Sequence, residues 1–132
     1  MTHIDAKTRS LRELLDNKKY SIEYYQREYK WGEDQIKQLL TDLEDKFYEK
    51  YQDGHEGINV MNYPPYFLGS IILVEKDNET FIIDGQQRIT SLTLLLIYLY
   101  RMLDDSDLKG NISRFIQSTT FGQKTFNLNI ED

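Results

Sequence analysis

Thr80-Phe81-Ile82-Ile83-Asp84-Gly85-Gln86-Gln87-Arg88-Ile89-Thr90-Ser91-Leu92 is the stretch whose reading decides the fold. Thr80 to Ile83 is β-branched and aromatic, the composition of a strand. Gly85 breaks the run, and from Arg88 to Leu103 the chain is apolar nearly all round, through Ile89, Leu92, Leu94, Leu95, Leu96, Ile97, Leu99 and Leu103. A helix of that composition is normally central and buried. Strand, sharp glycine turn and helix together place backbone N–H groups around an anion. Gly85 permits the tight turn and a close approach of ligand to backbone.

Gln86 and Gln87 offer neutral donors at the helix start, and Arg88 adds a forked, permanently charged one. An arginine there opposes the helix dipole unless an anion or carboxylate compensates it. Asp84 can pair with Arg88, hold a magnesium ion or orient a water. The five residues alone leave two readings open: an anion site, or a structural turn in which Asp84 caps the helix and pairs with Arg88.

Outward from this turn, Tyr66 to Val74 is β-rich, Lys76-Asp77-Asn78-Glu79 is a turn, and Thr80 to Ile83 returns as the second arm of a hairpin. Gly69-Ser70 interrupts the first arm, as at a bulge or a ligand contact. Ser10-Leu11-Arg12-Glu13 is a capping-box pattern that starts a short helix ending near Asp16-Asn17. Tyr20 to Tyr24 reads as a strand. Glu33-Asp34 opens an amphipathic helix to about Tyr51, with Ile36, Leu39, Leu40, Leu43 and Phe47 on one face. Gln52 to Pro65 reads as a long exposed loop. Asp104 to Asp107 is a solvated break, a short helix follows over Ile112 to Gln117, and Phe126, Leu128 and Ile130 alternate as a last strand. Because that strand has no closing element after it, the 132 residues are expected to form one α+β domain at the N-terminal part of a longer protein.

The chain carries 16 Lys plus Arg against 22 Asp plus Glu, a net charge of −6. Such a balance argues against gripping DNA unaided, although one local basic patch can survive the average. With no cysteine, disulfides, zinc–thiolate sites and thiol catalysis are excluded, and the cytoplasm is the simplest compartment. His3 and His55 have no metal-ligand spacing. The start lacks the apolar core of a signal peptide, and Leu92–Leu103 is too short to span a membrane.

Two further groups can line a ligand. Tyr24, Tyr25, Gln26, Arg27, Tyr29 and Trp31 gather aromatics, an amide and a guanidinium ahead of a helix start, able to stack a base and bring a second cation. Taken singly, these aromatics are more often core packing. Thr90 shares a helix face with Gln87, and its hydroxyl can line the pocket or bond back to the helix.

IIDGQQRITSLTLL (82–95), preceded by YFLGSIILVE (66–75) and YSIEYYQREYKWGEDQIKQLLTDL (20–43), resembles the N-terminal domain of the GmrSD-type restriction endonuclease family. The blocks come in the family's order and cover most of residues 10 to 103. The resemblance implies a ParB/sulfiredoxin-like fold, a small mixed sheet with flanking helices, whose glycine turn binds nucleotide phosphates. It implies phosphate contacts from Gly85, Gln86, Gln87 and Arg88, with Asp84, Gln87 and Arg88 catalytic. Gln26, Arg27, Trp31 and Gln35, with Gly69, Ser70 and Thr90, would complete the nucleotide site. The implied ligand is a nucleoside triphosphate with Mg2+ near Asp84, and the implied activity its hydrolysis.

Sulfiredoxins carry a catalytic cysteine in this turn where Gln86 stands, so sulfinic-acid reduction is excluded. ParB proteins are basic and richer in arginine here. In the resembled family the turn serves a modification-dependent, phage-defence restriction protein, often with a C-terminal HNH-type nuclease. That effector domain, like any DNA contact, would lie in the full-length protein. The competing expectation is a non-catalytic DNA-sensing or protein-interaction module of the same fold.

Overall fold

Ser10 and Glu13 close the expected capping box in the computed structural model, which describes residues 5–23, 28–120 and 122–129. The Ser10 hydroxyl accepts the Glu13 N–H at 3.1 Å, and Glu13 Oε1 accepts the Ser10 N–H at 3.0 Å. Helix α1 (Leu11–Leu15) follows, and Asn17 turns left-handed at φ 53° just past its end. The backbone hydrogen bond from Ser10, then its side chain, hold the Glu13 carboxyl below its ordinary pKa. A depressed carboxyl contributes stability above its unfolded pKa and loses it as pH falls through the folded one. Acidification through that range is expected to fray α1 first, visible as an upfield move of the Ser10 amide proton. Glu13→Gln should abolish the pH dependence of that move.

By chain contacts the protein divides into two compact units, Met1–Glu28 with Ile71–Asp132, and Tyr29–Ser70. The first holds a four-stranded mixed sheet, β1 (Tyr20–Ser21), β2 (Ile72–Lys76), β3 (Glu79–Asp84) and β6 (Leu128–Asn129), ordered β2-β3-β1-β6. β2 and β3 are antiparallel, whereas β1 runs parallel to both β3 and β6. Lys76 pairs with Glu79, leaving Asp77 and Asn78 as a two-residue hairpin turn at φ 53° and 65°. That is the type I′ geometry, which favours glycine at its second position. Asn78→Gly is therefore expected to stabilise the unit by about 0.5 kcal/mol in a urea titration, since relieved strain slightly exceeds the added unfolded-state entropy.

Three expected strands differ from their reading, and the first, expected over Tyr20 to Tyr24, ends at Ser21. β2 starts at Ile72 rather than Tyr66, because Gly69 sits at φ +116°, outside strand conformation. The irregularity in the ladder falls instead between Ile72 and Leu73. The terminal alternation belongs to two sheets: β5 (Gln123–Phe126) pairs antiparallel with β4 (Gln117–Thr120), and β6 joins β1.

Against the sheet lie α4 (Gln86–Met102) and α5 (Ser106–Ile116), the latter capped by Asp105, whose carboxylate accepts the N–H groups of Asp107 and Leu108. The core is Leu15, Tyr20, Ile22, Ile82, Ile89 and Leu128, with Leu11, Leu14, Ile71, Leu73, Leu96 and Phe115 packed around it. α4 is not buried all round. Ile89 and Leu92 are buried, but Leu94 is 53%, Tyr98 59% and Met102 64% exposed. With β1 and β6 only two residues each, the sheet is too small to cover all of a 17-residue helix.

Asn127, between β5 and β6, is 2% exposed and joins four elements. Its Nδ2 donates to the carbonyls of Leu15 at 2.8 Å and Arg114 at 3.0 Å, which lie in the last turns of α1 and α5. Those are carbonyls that a helix cannot satisfy internally. Oδ1 accepts a short hydrogen bond from the Ser118 hydroxyl. The Asn127 N–H donates to Ile116 O, and its own carbonyl accepts from Tyr20 N, both at 2.7 Å. Nearby, Tyr20 Oη donates to Leu14 O at 2.5 Å, and burial raises the Tyr20 phenol pKa.

The second unit holds α2 (Glu33–Tyr48) and α3 (Gly57–Val60). α2 ends three residues before the expected Tyr51. α3 occupies part of the stretch read as loop: the Asn59 side chain accepts the Glu56 N–H at 2.9 Å and caps one turn that itself begins on Gly57. Phe47 stacks on Tyr51 at 5.1 Å between ring centroids and lies 5.7 Å from Tyr63, whose hydroxyl meets His55 Nδ1 at 2.5 Å. Tyr66 Oη donates to Asp42 Oδ2 at 3.1 Å.

Candidate functional site

β3 delivers the chain to the turn with Ile82 buried, and α4 takes it away with Ile89 buried, so both sides of Asp84–Arg88 are anchored in one core. Gly85 is the N-cap of α4, at φ 96° and ψ 7°. Only glycine reaches that conformation without strain, so the tight turn expected from the sequence is formed. Its carbonyl accepts the Ile89 N–H at 3.1 Å, the first hydrogen bond of the helix.

The start of α4 differs from the other helices described. In α1, α2 and α3 the third helical residue is Glu13, Gln35 or Asn59, and its side chain accepts the N-cap N–H. In α5 the Asp105 carboxylate caps the first turn. In α4 no side chain among the described residues caps the helix, its first turn holds no acidic residue, and Arg88, which has no acceptor atom, occupies the third position. Gln86, Gln87, Arg88 and Thr90 are half-buried around this helix start.

Asp84 is exposed at the end of β3 and makes no ion pair or side-chain hydrogen bond among the described residues. The structural alternative, a capping Asp84 paired with Arg88, is therefore not the arrangement observed. Gln87 spends one amide N–H on the Glu28 carbonyl, at 2.9 Å. Ser91, buried one turn on, donates its hydroxyl back to Gln87 O at 2.8 Å. Glu28 and Ser91 were not foreseen. Ser91 carries a readable signal, a hydroxyl four residues after Gln87, whereas a backbone acceptor distant in sequence carries none.

Gln26 and Arg27, with Tyr24 and Tyr25, lie outside the described residues. Trp31, Gln35, Gly69 and Ser70 belong to the second unit. There Trp31 is half-buried, and Gln35 Oε1 is engaged by the Gly32 N–H at 2.9 Å, a capping role in α2. Among the described residues no group of three His, Cys, Asp or Glu is placed to hold a metal ion. Asp84 by itself can give one carboxylate oxygen to a magnesium ion that arrives on phosphates, the usual manner for that ion. No described helix is long and apolar enough to cross a membrane.

A short mixed sheet whose strand β3 enters a largely apolar helix through a left-handed, uncapped glycine defines an α+β domain built on a strand–glycine–helix turn. The sequence matches the family model described as GmrSD restriction endonuclease, N-terminal domain, over residues 11–132. The chain belongs to that family, and with it to the components of a restriction system. No curated protein matches it significantly.

Proposed function

We propose that the Gly85–Arg88 turn binds the phosphates of a nucleoside triphosphate carrying Mg2+, in a domain of ParB/sulfiredoxin-like fold. The observation that carries this reading is the start of α4, uncapped among the described residues, with an arginine where α1, α2 and α3 carry an acceptor. A helix N-terminus attracts anions through its backbone N–H groups and its dipole, and the Arg88 guanidinium adds a fixed positive charge there. The backbone at Gln86–Arg88 and the Arg88 guanidinium would hold phosphate oxygens. Asp84, exposed and unpaired among the described residues, would give an oxygen to the magnesium ion or orient the attacking water. Gln87 positions the helix start through Glu28, and Thr90 lines the same face. Hydrolysis at this turn would gate an effector domain of the full-length protein, through which DNA is met.

Calorimetric titration tests the binding. A nucleoside triphosphate with Mg2+ is expected to bind, and Arg88→Ala to weaken it about 10-fold or more, the loss of one charge-assisted contact. Phosphate release is expected to fall in Asp84→Asn with binding retained. Failure of every nucleoside triphosphate to bind would leave the non-catalytic module as the better reading; unchanged affinity in Arg88→Ala would move the site elsewhere.

A further inference from the structure

The first unit carries a second cationic feature, which shares no residue with the turn. Lys7, Thr8, Arg9, Arg12, Glu13, Asp16 and Lys18 line an open cleft of about 740 Å³ along α1. Four of these seven are cations, in a chain whose net charge is −6. None of the four forms an ion pair or side-chain hydrogen bond among the described residues. Of the two carboxylates in the wall, Glu13 accepts the Ser10 N–H and feels the Arg9 charge, while Arg114, from outside the cleft, lies with Nε 2.9 Å from Asp16 Oδ1. Four cations against two carboxylates leave the wall of the cleft with an excess of positive charge, which an anion seated there would offset.

We propose that this cleft binds a small anion carrying two or more adjacent phosphate groups. Two arginine forks suit phosphate oxygens, with Lys7, Lys18 and the Thr8 hydroxyl as further donors. A nucleic-acid duplex needs a broad basic face, whereas these cations are confined to residues 7–18 of an acidic chain. The inference stands independently of a nucleotide at Gly85.

Amide chemical-shift mapping with sodium tripolyphosphate tests it. Saturable shifts are expected at residues 7–18, beyond those from sodium chloride of equal ionic strength. They should weaken about 10-fold in the Arg9→Ala/Arg12→Ala double variant, whose melting temperature should match the parent because both side chains are exposed. Lys37→Ala, on the other unit, should leave them unchanged, and so should Arg88→Ala even if tripolyphosphate also reaches the Gly85 turn. No saturable shift at residues 7–18, or equal affinity in the double variant, overturns the proposal. So does a short DNA duplex that saturates these amides at a lower phosphate concentration than tripolyphosphate, since the ligand would then be a nucleic-acid backbone.

Discussion

Asn127→Ala is expected to destabilise the first unit by about 3 kcal/mol, because it removes three side-chain hydrogen bonds in the core at about 1 kcal/mol each. The Leu15 and Arg114 carbonyls keep the backbone N–H groups of Lys18 at 3.2 Å and Asn17 at 3.1 Å but lose Asn127 Nδ2, and Ser118 loses its acceptor. At 2% exposure the site offers water little access to replace these bonds. For a domain of this size the loss corresponds to a fall in melting temperature of about 10 °C, read by circular dichroism. Asn127→Asp should cost at least as much, since it conserves volume but turns the donor into a carboxylate facing two carbonyls. A loss below about 1 kcal/mol in both variants would show that the two helix ends do not depend on this side chain.

The second large effect is expected at Gly85. Gly85→Val places a β-branched residue at φ 96°, at a cost of about 2 kcal/mol. It also puts methyl groups beside the helix start that phosphate would approach, so nucleotide affinity should fall about 100-fold. Gly85→Asn separates the two effects, because asparagine tolerates the left-handed region better than any β-branched residue. It should retain most of the stability while still weakening the nucleotide. If Gly85→Asn binds as tightly as the parent, close backbone approach at this residue is not needed.

These two positions also mark what the amino-acid sequence makes legible. Gly85, the Ser10–Glu13 box and the Asp77-Asn78 hairpin are local devices, each satisfied within a few residues, and each forms as its residues predict. Asn127 is different. Its five hydrogen bonds reach residues 15, 20, 114, 116 and 118, and nothing in Phe126-Asn127-Leu128 distinguishes it from a surface amide. β4 escaped notice for a related reason: Gln117-Ser118-Thr119-Thr120 is polar, and only its pairing with β5 makes it a strand. The apolar run of α4 predicts the helix correctly but not its burial, which depends on how much sheet stands beneath it. At the candidate site, the glycine turn and its donors follow from sequence order. The uncapped helix start and the Gln87 bond to Glu28 emerge only in three dimensions.

The most direct measurement is a crystal structure of the protein grown with Mg2+ and a non-hydrolysable nucleoside triphosphate. Phosphate oxygens are predicted within hydrogen-bonding distance of the backbone N–H groups of Gln86–Arg88, with the Arg88 guanidinium alongside. A nucleotide held away from this turn, or none bound at saturating concentration, would contradict its assignment as the phosphate site.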